Sequence, residues 1–106
     1  MTQIIKIDGK TIIKTGERIN TMNAAQFERD IEPALEQSVN LVIDCSDLIF
    51  LASSGLRVMQ NMMRSVTMDL GGQVKMTNVR PNIYKILVMT GFTRHLEIEQ
   101  YQNPPT

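Results

Sequence analysis

The chain holds one cysteine and one histidine among 106 residues. A single thiol, Cys45, excludes an intrachain disulfide framework and a cysteine-built metal cluster. His95 is the sole imidazole, so a structural zinc site is not expected either. Net charge is also missing. Eleven basic residues balance eleven acidic ones, which leaves no strong field to gather nucleic acid or an anionic membrane. No apolar run approaches the roughly 20 residues that span a bilayer, so membrane insertion is not expected. The opening segment, MTQIIKIDGKTIIK, turns too early for a signal peptide. These absences predict a cytoplasmic chain that needs no cofactor and makes no direct contact with nucleic acid.

The length suits one domain, and a chain of this size buries roughly two-thirds of the surface it exposes when unfolded. That supports one core and leaves little room for a deep substrate cavity. Repeats and low-complexity tracts are lacking. The polar, proline-rich end QYQNPPT is expected to fray, which makes residues 1–100 the domain and 101–106 a disordered tail.

Periodicity gives the element order. IIKIDGKTIIK is two β-branched runs around Asp8-Gly9, which predicts a tight hairpin. Gly16 marks a bulge or bend, with the second strand continuing toward Ile19. Phe27, Ile31 and Leu35 recur at helical spacing. Asn23 and Gln26 fit a capping box for that helix, and Thr21 is an alternative cap. Pro33 predicts a kink or a helix broken in two. Leu41-Val42-Ile43 reads as a strand buried on both faces. A second helix is expected from about Ser54 to Leu70, with Leu56, Met59, Met63, Val66 and Leu70 as one buried stripe, closed by Gly71-Gly72. QVKMTNV is a further strand. Pro81 opens a third helix, whose inner face holds Ile83, Ile86, Leu87 and Thr90 and which stops at Gly91. HLEIEQ alternates as an edge strand does. Strands separated by helices predict an α/β domain with a partly parallel sheet and an antiparallel hairpin at its edge.

The chemistry concentrates at FLASSGLRVMQNMM, where a strand-like run meets a helix. Ser53 and Ser54 admit three roles: helix cap, nucleophile, or acceptor of a modification. Gly55 lets another surface approach closely. A nucleophile is disfavoured, because Leu-Ala precedes Ser53 where a nucleophile elbow needs a glycine, and His95 is the only available base. A phosphate on Ser53 would meet the positive end of the helix dipole, with Arg57 one turn on. It would also add about −1.5 to −2 charges to an apolar surface. Val58 and Met62 flank the buried stripe. They read either as peripheral core or as an adaptable apolar patch that a partner covers. Cys45 reads as a buried small hydrophobe, and Asp44 as a turn former.

LVIDCSDLIFLASSGLRVMQNMMR resembles the signature of the STAS family, the domain of bacterial anti-sigma factor antagonists and sulfate-transporter tails. GERINTMNAA is similar to the family's earlier segment, and GGQVKMTNVRPNIYKILVMTGF to its closing one. The resemblance covers nearly the whole chain in order. It implies a mixed, mostly parallel sheet of four to five strands with helices packed mainly on one side. It also implies a function: an antagonist that binds an anti-sigma factor serine kinase and releases a sigma factor. The kinase, using ATP, would phosphorylate Ser53, and a metal-dependent phosphatase of the PP2C type would reverse this. The partner surface so implied comprises Asn20, Thr21, Ala52, Ser53, Ser54, Gly55, Arg57, Val58 and Met62. Two positions depart from the family pattern. Its acidic residue before the serines is Ala52 here, and the aspartate of its earlier segment is Asn20. Three rivals stand beside this reading: a STAS subunit of a lipid-exporting ABC assembly, a scaffold in a stress-sensing particle, and a hydrolase using Ser53.

Overall fold

A computed structural model describes residues 2–35, 40–91 and 96–100. The elements are β1 (Gln3–Ile7), β2 (Lys10–Lys14), β3 (Arg18–Ile19), α1 (Ala24–Leu35), β4 (Asn40–Asp44), β5 (Phe50–Leu51) and α2 (Ser53–Arg64). A π-helical turn (Ser65–Asp69), β6 (Gln73–Val79), α3 (Pro81–Met89) and β7 (Glu97–Gln100) follow. The expectations for His95 and for the tail 101–106 lie outside the described residues.

The hairpin forms as its sequence predicts. Asp8 and Gly9 take φ of 48° and 76°, the left-handed pair that a two-residue turn between twisted strands requires. The main sheet has the order β1-β2-β4-β6-β7. Only β1 is antiparallel to its neighbour; the β2–β4, β4–β6 and β6–β7 pairs are parallel. The helices crossing between parallel strands lie on one face. Ile13, Leu41, Ile43, Val74 and Met76 pack there against Phe27, Ile31, Met59, Met62, Ile83 and Leu87 in one core. The alternate residues Ile12, Val42, Lys75 and Thr77 are only half-buried. β4 is therefore not buried on both faces, because no helix covers the second one.

The second strand stops at Lys14 and does not reach Ile19. Thr15 N–H still bonds Asp44 O at 3.2 Å. The chain then leaves the sheet at Gly16, and Arg18–Ile19 pairs in parallel with Phe50–Leu51 as a separate two-stranded ribbon. α1 runs unbroken through Pro33. That residue sits in its last turn, so one hydrogen bond is lost where few remain to be made. Its buried face is Ala24, Phe27, Ile31 and Ala34, with Leu35 half-buried.

α2 keeps α geometry only to Arg64. Thr67 Oγ1 then donates to Met63 O at 2.8 Å, and Leu70 N–H reaches back five residues to Ser65 O at 3.2 Å. This wider turn changes the helical phase. Leu70 ends 39% exposed and Met63 half-buried, while Val58 and Met62 join the core. α3 starts at Pro81 and buries Ile83 and Leu87. Thr90 is exposed, and its hydroxyl donates to Ile86 O and Leu87 O at 3.0 and 3.1 Å. No helix among the described residues is long and apolar enough to cross a membrane. No cluster of histidine, cysteine, aspartate or glutamate suited to a metal ion occurs among them.

Candidate functional site

The site grows from the short ribbon. β3 and β5 run side by side, and Ala52 N–H donates to Ile19 O at 2.8 Å just past their ends. The residues that follow each strand, Asn20-Thr21 and Ala52-Ser53, are thereby brought together. The connection from β4 to β5 is tied down along its length. Arg80 Nη2 donates to Ser46 O and Asn82 Nδ2 to Ile49 O, both at 2.9 Å, and Leu48 is fully buried. Ser53 thus projects from a fixed frame.

Neither serine caps α2. The cap position is Ala52, which makes no side-chain hydrogen bond; Ser53 and Ser54 are the first two helical residues. Their backbone N–H groups lie in the first turn, where no intrahelical acceptor exists. The first turn contains no acidic residue. Ser53 is exposed, so its hydroxyl stands in solvent at the positive end of the dipole. Ser54 differs sharply: its Oγ is buried and has no hydrogen-bond partner. Arg57 is exposed one turn below Ser53 and forms no ion pair among the described residues.

Three expected partner contacts change meaning. Val58 and Met62, 8% and 1% exposed, are core residues of α2, so they offer a partner almost nothing. Gly55 is buried for an internal reason. A Cβ there would overlap Ile19 Cγ2 and come within 2.9 Å of Leu51 Cδ1, so the surface approaching Gly55 is the chain's own ribbon. Asn20 is half-buried and acts as a cap. Its Oδ1 accepts from Met22 N–H and Asn23 N–H, each at 3.0 Å, while Asn23 Oδ1 accepts from Asn20 N–H at 2.7 Å. This reciprocal box starts α1 three residues earlier than the Asn23–Gln26 box expected. Gln26 instead bonds Asp30 and Arg29 on the helix surface.

The sequence reading missed the apolar rim of the site. Ile49, Phe50 and Met22 are 41%, 44% and 94% exposed, and all flank the ribbon that carries Ser53. Strand alternation was the available signal: Leu51 faces inward, so Phe50 faces out. A groove of about 590 Å³ lined by Lys10, Asn40, Gln73 and Lys75 lies at the opposite, N-terminal end of the strands and takes no part.

Electrostatics below the site are settled locally. Asp44 is opposed by burial, yet hydrogen bonds from Asn78 and Ser46, helped by Lys14, outweigh it and hold its carboxyl below 3.8. Asn78 Nδ2 and Ser46 N–H both donate to its Oδ1, at 3.1 and 3.0 Å, which confirms the turn-forming role. Burial, aided by the Asp44 charge, pushes the Cys45 thiol up to about 12, so it is a small core residue.

The STAS domain family model matches residues 1–102. The chain belongs to the STAS domain family. None of the curated protein sequences matched it. Solved structures of the family superpose closely. An anti-sigma factor antagonist from Mycobacterium paratuberculosis is 21% identical over 93% of this chain and 84% of its own, with a TM-score of 0.83. The phosphorylated form of the Bacillus cell-fate determinant SpoIIAA is 17% identical over 92% of this chain and 90% of its own, at 0.74. RsbS from Moorella thermoacetica is 21% identical over 95% and 87%, at 0.76. At these identities the likeness shows the fold. The mixed five-stranded sheet with three helices is that of this family of STAS domains.

Proposed function

We propose that this STAS domain is an anti-sigma factor antagonist, a binding module and not an enzyme, switched at Ser53. The observation that carries the proposal is the exposed Ser53 hydroxyl on the first residue of an uncapped helix, held on an anchored connection and rimmed by Phe50, Ile49, Met22 and Thr21. An anti-sigma factor serine kinase would rest on that rim. In the transfer, Ser53 Oγ bonds to the γ-phosphorus of ATP, ADP leaves, and the hydroxyl proton passes to a base on the kinase. The phosphate then sits at the positive helix end, where the fold tolerates it, and its charge lowers the affinity of the apolar rim for the kinase. A PP2C-type phosphatase would restore the neutral serine.

The test is incubation with the anti-sigma factor kinase and ATP. One phosphate on Ser53, lost in Ser53→Ala, supports the switch. Stable kinase binding with no phosphate transferred would remove the switch and leave plain binding. Ala52 favours that second reading, a fixed subunit of a stress-sensing scaffold or an ABC assembly, since it brings no carboxylate beside the acceptor. Co-purification with a transporter ATPase or a large particle, in place of a kinase, would select it.

A further inference from the structure

β1 ends the sheet, and all five of its residues are exposed. The segment reads QIIKI, with Ile4, Ile5 and Ile7 at 38%, 44% and 53% exposure. Folded proteins usually protect such an edge with charges, proline or a covering element. Here Lys6 is the one charge, and no described element covers the strand. From the open β1 edge we infer that this chain pairs with a second copy of itself, β1 against β1, into one continuous sheet.

The hairpin decides which backbone groups are available. Its two-residue turn makes Ile7 and Lys10 a hydrogen-bonded pair, and so also Ile5–Ile12 and Gln3–Lys14. The alternate residues, Ile4 and Lys6, direct their N–H and C=O groups outward. An antiparallel two-fold centred on Ile5 sets Ile4 opposite Lys6 of the second copy, and Lys6 opposite its Ile4. Each of those pairs exchanges both hydrogen bonds, so every outward group of the two residues is satisfied. Ile5 meets Ile5, and the apolar row Val42–Ile12–Ile5 on the uncovered sheet face becomes continuous across both copies.

Neighbouring registers are worse. Centring on Lys6 places two ammonium groups directly opposite, which is destabilising. Centring on Ile4 sets Ile5 against Gln3 and leaves Ile7 unpaired. Charge also favours the Ile5 register. Ile4 lines a groove of about 680 Å³ between β1 and α1, together with Asp30 and Arg18. Lys6 of the second copy comes over that groove and finds the Asp30 carboxylate there. The chain's balanced charge opposes no self-association. A five-residue edge buries less than a standard interface, so the dimer is weak, with Kd between about 10 µM and 1 mM.

Sedimentation equilibrium of the full chain tests this, paired with amide exchange. The expected result is a mass that rises from monomer toward twice that value over this range, with slower exchange at Ile4 and Lys6 alone in β1. Ile4→Pro removes an outward N–H while sparing the hairpin bonds, and it should stay monomeric. Ile5→Lys, which tests the same register by repulsion should the proline variant not fold, should stay monomeric too. A wild-type chain that is monomeric at 1 mM overturns the proposal. So does dimerisation that persists in a folded variant.

Discussion

The two long helices begin in opposite ways. α1 starts on a closed box, in which Asn20 and Asn23 satisfy each other's backbone groups and Asn23 Nδ2 ties back to Arg18 O at 2.9 Å. α2 starts on Ala52 with no cap at all, although the two starts adjoin through the Ala52–Ile19 hydrogen bond. One is built for stability. The other leaves unpaired N–H groups and an exposed hydroxyl where a cap would be worth about 1 kcal/mol. A capless start next to a fully capped one is what an anion-accepting site needs, because a carboxylate at the cap would compete with an arriving phosphate.

The comparison breaks most severely at the packing of α2 on the ribbon. Gly55→Ala forces a methyl into Ile19 and Leu51 and should cost about 1–3 kcal/mol in chemical denaturation. Next comes the cap of α1: Asn20→Ala should lose about 0.5–2 kcal/mol. The inverse change, Ala52→Asp, gives α2 the cap it lacks and should gain up to about 1 kcal/mol while slowing phosphate transfer to Ser53. A gain in stability with undiminished transfer would show that the open start is incidental.

The smallest effect concerns pH. The carboxyl of Asp44 is held below its unfolded value by Asn78 and Ser46. Its contribution to stability is complete above the unfolded pKa and disappears as pH falls through the lower folded one. Asp44→Asn should therefore flatten the acid limb of the stability curve and leave the neutral region nearly level.

These contrasts mark what the residues disclosed. The hairpin, the parallel order and the position of Ser53 were legible because Asp8-Gly9, the apolar periods and the helix breakers act locally. The cap of α1 was misplaced by one turn: Asn20 and Asn23 both cap well, and only the ribbon's pairing decides which residue leaves extended geometry. Val58 and Met62 were read as flank because the stripe was drawn through Leu70. The π-helical turn at Ser65–Asp69 rotates that register, and Thr67 looks like an ordinary helical residue in sequence. Gly16 announced a break but not its destination, since a two-residue ribbon between Arg18 and Leu51 depends on contacts distant along the chain. Phe50 and Met22 were passed over because exposed apolar residues carry no local signature.

Thermal unfolding of Ser53→Asp is the most direct measurement of the central claim, that negative charge is accepted at residue 53 without loss of fold. The account predicts a midpoint unchanged or slightly raised, since a carboxylate at the first helical residue stabilises by about 0.3–1 kcal/mol. A midpoint lower by about 4 °C or more, equivalent to roughly 1 kcal/mol in a domain of this size, would contradict it.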